Sequence, residues 1–170
     1  QKVDTVEEAD VQSLTTNGLD HVEFLISPNL GEGFKPINRI ASGGELSRLL
    51  LAIKTALIKT DPVGTYIFDE VDSGIGGGVA ETVGIKLQRV GFARQVLSIT
   101  HLPQVASCAH HHLKVTKRIE GDRTTSEVRY LSFEERIQEV ARMLGGAEIT
   151  SRTLEHAKEM LRNNQPKVTR

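Results

Sequence analysis

Two adjacent carboxylates are the residues of this chain best suited to chemistry, because they directly follow a short apolar run. Residues 65–68 (TYIF) form that run and predict a buried strand, which Asp69 and Glu70 follow. Ligands of open α/β sheets bind at the carboxyl ends of strands. There Asp69 is suited to hold Mg²⁺ through water, and Glu70 to orient or deprotonate an attacking water. The alternative is a structural strand whose end reaches the protein surface without binding a ligand, although such strands more often end in one acid and a turn residue.

A histidine follows the next predicted strand, which spans residues 95–100. His101 comes 31 positions after Glu70, so neighbouring parallel strands would bring it to the same sheet edge as the two acids. A histidine there can hydrogen-bond a phosphate or a water. Taken alone, a histidine after a strand is more often a polar residue that ends the strand and binds no ligand. Its distance from Glu70 along the chain is what favours the functional interpretation.

A glycine pair opens the predicted helix at residues 46–59. Ser42 and Glu45 flank Gly43 and Gly44, with the spacing of a capping box. The glycines leave the first amides uncovered at the positive end of the helix dipole, an arrangement that suits a phosphate. A well-capped core helix without a ligand is the alternative, and the neighbouring motifs decide between the two.

The loop at residues 72–78 (DSGIGGG) follows the two acids and begins with a Gly-x-Gly pattern. The third glycine of a dinucleotide-binding fingerprint would fall at position 79, which is Val79, so that motif fails. We interpret the loop instead as one that presents an acid, Asp72, and Ser73 to a neighbouring subunit.

The histidine run at 110–112 is not expected to bind metal, because consecutive residues on a strand alternate between faces. A predicted hairpin follows it, pairing residues 112–118 with 125–131. Its basic residues could contact DNA phosphates, although a solvated strand surface is the more ordinary interpretation. They are Lys114, Lys117, Arg118, Arg123 and Arg129.

The remaining patterns predict an α/β layer, with a partly parallel sheet flanked by helices and a β-hairpin. A further strand is predicted at 21–27. Further helices are predicted at 79–89, from Pro103, from Ser132 to Met143 after a capping box, and at 151–161.

Composition excludes several classes of protein. The chain has 170 residues, enough for one domain, and a formal charge of −1, so no basic footprint for nucleic acid extends over the whole domain. The single cysteine, Cys108, excludes an internal disulfide and fits a reducing compartment. No apolar run approaches the ~20 residues that a membrane span needs.

Three segments, taken in order, resemble motifs of ABC-type ATPases: ASGGELSR at 41–48, TYIFDEVDSGIGG at 65–77 and SITHLPQVA at 98–106. They are similar to the signature motif, the Walker B strand with its D-loop, and the switch histidine. Glu45 stands where transporter ATPases usually carry Gln, which favours the SMC-like branch. The segments VEFLISPN, LAIKTAL, THLPQVA and ARMLGGAEIT resemble the RecN family in particular, so the resemblance covers roughly residues 17 to 163.

The resemblance implies that residues 17–170 are the C-terminal lobe of an ABC/SMC-type P-loop ATPase head. Residues 1–16 would be a lead-in or the end of a coiled coil. A P-loop needs a Gly-Lys pair, and none occurs here, so the P-loop would lie in an N-terminal half. This chain alone is therefore expected to be inactive. ATP and Mg²⁺ are the implied ligands, with Asp69, Glu70 and His101 acting in one head.

The signature residues Ser42, Gly43, Gly44 and Glu45 would instead contact ATP held by a second head, next to Asp72 and Ser73 of the D-loop. The implied function is ATP-driven dimerisation of heads that controls DNA binding in double-strand-break repair and recombination. The implied location is the bacterial cytoplasm near the nucleoid, with no membrane partner. Two alternatives remain: another SMC-like or ABC-type ATPase, and a non-catalytic module that binds DNA or a partner.

Overall fold

The structure, a computed structural model, describes residues 18, 22–27, 31, 33–37, 42–120, 123–146 and 148–165, which form two compact units divided after residue 40. The first unit contains the antiparallel strands β1 (Leu25–Ile26) and β2 (Lys35–Pro36). The second contains α1 (Gly43–Ala56), β3 (Thr65–Phe68), α2 (Gly77–Gly91), β4 (Gln95–Ser98), α3 (Pro103–Ser107), β5 (Leu113–Glu120), β6 (Arg123–Tyr130), α4 (Phe133–Gly145) and α5 (Ser151–Asn163). Among the described helices, none has the length and apolar character needed to cross a bilayer.

The centre of the second unit is a parallel strand pair covered by helices on one face. β3 and β4 pair with Thr65 opposite Gln95 and Phe68 opposite Ser98. Because side chains alternate along a strand, Tyr66 and Phe68 are buried whereas Ile67 is exposed. The core on the buried face joins residues of α1, β3, the loop after β3, α2 and α3: Leu51, Tyr66, Phe68, Val71, Ala80, Val83, Leu87, Val90 and Val105. The predicted α/β class with a parallel pair and a hairpin is confirmed.

The element boundaries differ from the sequence prediction mainly at strand and helix ends. The strand predicted at 21–27 is reduced to Leu25–Ile26, and residues 22–24 are irregular. β4 ends at Ser98, so residues 99 and 100 already belong to the connection. α1 begins at Gly43, because the Ser42 hydroxyl caps it there. The lead-in predicted at 1–16 lies outside the described residues.

A second core forms where α4 packs on α5. Val140, Ala141, Ala157 and Leu161 are its buried members. The predicted capping box that opens α4 is present, since the Glu135 amide donates to Ser132 Oγ (3.3 Å) and the Ser132 amide donates to Glu135 Oε2 (2.8 Å). The Ser132 amide, followed by the Arg129 guanidinium, lowers the pKa of Glu135 to about 2.

One buried acid connects α4 to the hairpin of β5 and β6. Glu139 accepts hydrogen bonds from Lys114 on β5 and from Arg142, whose Nη2 lies 2.6 Å from Glu139 Oε1. Burial raises the pKa of Glu139, but the hydrogen bonds from Arg142 and Lys114 outweigh it and hold that pKa at about 2. The carboxylate is therefore charged and paired at neutral pH, the condition that a buried acid requires.

α2 and α3 approach each other closely at a glycine. A Cβ added to Gly84 would lie 2.8 Å from Cys108 Sγ and 3.2 Å from the carbonyl oxygen of Gln104. Burial raises the pKa of the Cys108 thiol to about 11, so this neutral thiol acts as a packing group and donates to the Gln104 carbonyl at 3.3 Å. Gln88 Nε2 holds the same contact by donating to the Cys108 carbonyl at 2.6 Å.

Gly84→Ala should destabilise the chain by about 1–3 kcal/mol, because the added methyl group overpacks the contact between α2 and α3. Urea unfolding followed by circular dichroism measures this change. Gly78→Ala is the matched control in the same helix, since a Cβ there meets nothing within 4 Å. Its free energy of unfolding should stay the same or rise by up to ~1 kcal/mol. Equal losses in the two variants would contradict the close approach.

Candidate functional site

The parallel register of β3 and β4 brings the chemically promising residues to one edge of the sheet. Phe68 and Ser98 are opposite each other, and the Ile99 amide donates to the Phe68 carbonyl at 3.2 Å. Asp69 therefore leaves the sheet beside the connection that carries His101. Asp69 Oδ1 accepts from the Glu70 amide at 2.9 Å, which leaves its Oδ2 for other partners.

Glu70 has an unusual backbone conformation. Its φ is +56°, and it is the only non-glycine residue with positive φ in the part of the chain that the structure describes. This left-handed region costs a residue with a long side chain about 1–3 kcal/mol unless the surroundings enforce it. The Ser73 amide donates to the Glu70 carbonyl at 2.9 Å and closes the turn. Strained residues of this kind concentrate at functional sites.

The Glu70 carboxylate lies against the start of α1. A Cβ added to Gly43 would be 2.5 Å from Glu70 Oε2, so a side chain here would require the end of the Glu70 side chain to move. The acid and the predicted signature segment (residues 42–45) are thus in direct contact within one chain. The negative charge also lies next to the positive end of the α1 dipole, which favours the contact.

The signature segment forms the predicted helix start with one difference. Ser42 Oγ accepts from the Glu45 amide at 3.2 Å, but the return bond of a capping box, from the Ser42 amide to the Glu45 carboxylate, is absent among the described residues. Ser42, Gly43 and Glu45 are exposed and Gly44 is buried. Within the described part of the chain, the Gly43 and Gly44 amides have no hydrogen-bond acceptor.

Two residues that the sequence analysis did not single out fix the 69–73 loop to α1. Ser47 Oγ donates to the Asp69 carbonyl at 2.8 Å, and Arg48 Nη1 donates to the Ser73 carbonyl at 2.8 Å and to the Val71 carbonyl at 3.3 Å. Their pattern is visible in hindsight as two adjacent polar residues inside an otherwise apolar helix. Spacing alone does not reveal that both side chains reach backbone carbonyls more than 20 positions away.

Asp72 is buried in the loop that the sequence analysis expected to face a neighbouring subunit. It is 3% exposed, and its Oδ2 accepts from Thr100 Oγ1 at 2.5 Å and from the His101 amide at 3.1 Å. The carboxylate therefore faces inward within this chain, where the Thr100–His101 turn supplies its hydrogen-bond donors. Ser73, the other residue predicted to face a partner, is exposed.

The site offers oxygen ligands but no closed metal cage. Among the described residues, no group of three or more His, Cys, Asp or Glu side chains could hold a metal ion. Mg²⁺ fits this edge in a different way, since it commonly binds through one or two carboxylates, waters and substrate phosphates. Asp69 is the carboxylate available for it, and the bare Gly43–Gly44 helix start suits the phosphate oxygens.

The histidine run and the basic hairpin contribute little to this site. Burial lowers the pKa of both His110 and His112, and the His110 ring packs edge-on against Phe92 at 4.9 Å between centroids. Three of the five basic hairpin residues are paired with acids: Lys114 with Glu139, Arg118 with Glu127 and Arg129 with Glu135. Lys117 and Arg123 are exposed and make no ion pair within the described ranges.

Two acids and a histidine at one edge of a parallel pair, beside a glycine-lined helix start, place the second unit among α/β folds whose candidate site lies at the carboxyl ends of the strands. Curated relatives specify the family. The chain is 50% identical over 145 residues to the DNA repair protein RecN of Halalkalibacterium halodurans, covering 85% of the chain and 26% of the relative. It is 48% identical to RecN of Bacillus subtilis over 157 residues (92% and 27%) and 50% identical to RecN of Treponema pallidum over 145 (85% and 25%). The chain belongs to the RecN family and matches its C-terminal region.

The chain spans about a quarter of the length of these curated relatives. No protein-family model matches it. Among solved structures, a chain from a study of ATP-driven dimerization and DNA-stimulated activation of SMC ATPases superposes with a TM-score of 0.49 at 24% identity. That superposition covers 69% of this chain and 70% of the other.

Gly44→Ala should destabilise the chain by about 1–3 kcal/mol. A Cβ at Gly44 would meet the Glu70 carbonyl oxygen and Ser73 Cβ, both at 3.0 Å, and neither can move without shifting the loop. Gly43→Ala is the control, because its new methyl group meets only the movable end of the Glu70 side chain. The free energy of unfolding should change by less than about 1 kcal/mol in that variant. Urea denaturation of both proteins checks the difference, and a reversed order would contradict the packing of α1 on the loop.

Proposed function

We propose that this chain is the lobe of an ATPase head that activates water and switches conformation in a RecN-type protein of DNA double-strand-break repair. The observation that carries the proposal is the single sheet edge from which Asp69, Glu70 and His101 emerge. This edge lies in contact with the glycine-lined start of α1. A module that only binds a partner has no need for a strained, exposed acid next to a second carboxylate.

Glu70 is the proposed general base, which orients and deprotonates the water that attacks the γ-phosphate of ATP. His101 would hydrogen-bond that water or the phosphate. Asp69 would hold Mg²⁺ through water, and the bound ion would neutralise charge that develops on the phosphate oxygens. The strained φ of Glu70 supports this assignment, since the turn between Glu70 and Ser73 enforces an orientation that the residue would not adopt by itself.

Ser42, Gly43, Gly44 and Glu45 would contact ATP that is held by a second head. A helix start supplies hydrogen-bond donors and a positive dipole but no nucleophile, so it suits binding rather than hydrolysis. The exposure of Ser42 and Gly43 supports a contact with another molecule. Loss of the γ-phosphate would remove what both heads share and open the dimer.

The missing P-loop would come from the N-terminal half of the full protein. Parallel sheets are normally covered on both faces, but the face of β3 and β4 opposite the core carries Ile67 at 70% exposure, and Ile99, just after the end of β4, is 66% exposed. Leu97, the neighbour of Ile67, is exposed on the same face. α1 adds an exposed apolar stripe with helical spacing at Leu46, Leu50, Ile53 and Leu57. These surfaces support a large intramolecular partner.

DNA would be bound through the full-length protein rather than mainly through this lobe. The chain carries a net charge of −1, and most basic residues of its hairpin are paired with acids. Head opening and closing would then control DNA binding at a distance, in the bacterial cytoplasm near the nucleoid.

Glu70→Gln should lower kcat for ATP by roughly 10²–10⁴-fold while ATP binding and dimerisation persist, because the amide cannot accept the water proton. The assay requires a protein that joins this segment to its P-loop half, with turnover followed by phosphate release. Glu155→Gln, at an exposed position on α5, is the charge-matched control and should turn over normally. Wild-type turnover in Glu70→Gln would contradict the assignment of the general base.

Ser42→Arg should block ATP-dependent dimerisation while leaving ATP binding to the P-loop half intact, because a bulky side chain would fill the contact between the heads. Light scattering with and without ATP measures the association state. Ser42→Ala separates this effect from the loss of the helix cap, which costs about 1 kcal/mol, and it should still dimerise. Dimerisation of the arginine variant with ATP would show that the signature segment does not contact the second head.

A further inference from the structure

A buried carboxylate organises the turn that presents His101. Three polar atoms of that turn surround Asp72 Oδ2: Thr100 Oγ1 at 2.5 Å, the His101 amide nitrogen at 3.1 Å and His101 Nδ1 at 3.3 Å. Asp72 is 3% exposed, whereas the side chain of His101 is 75% exposed. The imidazole therefore faces a fixed carboxylate on one side and is open to solvent on the other.

Both sides of this contact are fixed by further hydrogen bonds. Thr100 Oγ1 also accepts from the Leu102 amide at 3.0 Å, just before α3 begins. On the other side, Arg48 holds the carbonyls of Val71 and Ser73, the two residues that flank Asp72. The carboxylate thus has little freedom to turn away from the histidine.

The identity of the ring atom beside Asp72 determines which tautomer is stable. An ionised carboxylate only accepts hydrogen bonds, so a lone pair on His101 Nδ1 at 3.3 Å would be repelled, whereas an N–H there is attracted. The hydrogen bond or contact at one ring nitrogen sets the state of the other. In the neutral ring, the exposed Nε2 must then carry the lone pair.

We infer that Asp72 is a positioning residue that fixes His101 in the Nδ1–H tautomer and directs Nε2, as a hydrogen-bond acceptor, toward the site. Its consequence for turnover rests on the proposed function, but the tautomer itself does not. In this state, the Nε2 lone pair of the neutral ring can accept a hydrogen bond from a water. A phosphate oxygen is itself an acceptor and would not pair with that lone pair. The sequence left open whether His101 hydrogen-bonds a water or a phosphate. For the neutral ring, the Nδ1–H tautomer favours water.

The first test is the tautomer of His101 in the chain itself. Long-range ¹H–¹⁵N spectra identify the protonated ring nitrogen, at a pH about 1.5 units above the usual histidine pKa of about 6.5 so that neutral rings dominate. We expect His101 to be mainly Nδ1–H. A ring that is mainly Nε2–H would overturn the inference, and this measurement requires no variant to fold.

Asp72→Ala tests the cause. The substitution removes Oδ2, the oxygen that lies beside His101 Nδ1, so the preference for an N–H at that nitrogen should be lost and the Nε2–H tautomer should become at least as abundant as the Nδ1–H form. His110, His111, His112 and His156 are internal controls in the same spectrum and should keep their wild-type patterns. A tautomer of His101 that is unchanged in the variant would overturn the role of Asp72.

A measurement of ATP turnover distinguishes a failure of the inference from a failure of the proposed function. In a protein that includes the P-loop half, Asp72→Ala should lower kcat by on the order of 10–100-fold, as expected when the partner that orients a functional histidine is lost. The KM for ATP should stay within about twofold, because binding is unaffected. A changed tautomer with normal kcat would support the role of Asp72 in positioning His101 and would contradict the catalytic role of His101. A changed tautomer with lowered kcat supports both.

Discussion

Parallel pairing of β3 with β4 is the constraint on which the site depends. Strands that run in the same direction end at the same edge, so the residues after Phe68 and after Ser98 must emerge together. One face of the pair is fixed by the core under Tyr66 and Phe68. A register shift by one residue would turn those two rings to the opposite face. The packing of the core therefore fixes the register, and with it the position of the two acids relative to the histidine.

The loop after β3 takes its shape from α1 rather than from its own sequence. Ser47 and Arg48 hold three of its carbonyls, and Gly44 allows the helix to approach the backbone of Glu70 closely. A segment rich in glycine would otherwise sample many conformations. The helix that begins with the signature segment therefore also positions the acid, and movement of one requires adjustment of the other. Under the proposed function, this connection gives a physical route by which contact with a second head would affect water activation.

The sequence predicted the bounds of β3, the helix caps at Ser42 and Ser132 and the RecN family because these depend on local patterns. Asp69, Glu70 and His101 follow apolar runs, and Ser132 and Glu135 have the spacing of a capping box that the structure contains. The inward turn of Asp72 was not predictable, since it depends on a hydroxyl 28 positions away. The left-handed backbone of Glu70 was missed for a similar reason, because glutamate has no preference for it. The strand predicted at 21–27 was too long, as alternation alone does not set where pairing ends.

The positive φ of Glu70 has an evolutionary consequence. Glycine or asparagine would occupy this backbone conformation with less strain, so at this position random substitution can make the fold more robust while removing the carboxylate. If Glu70 has its proposed role, stability and activity are in opposition at one residue. A degenerate copy of such a gene would be expected to lose its acid early and yet persist as a well-folded protein, and screening for thermal tolerance alone would select for variants without the carboxylate.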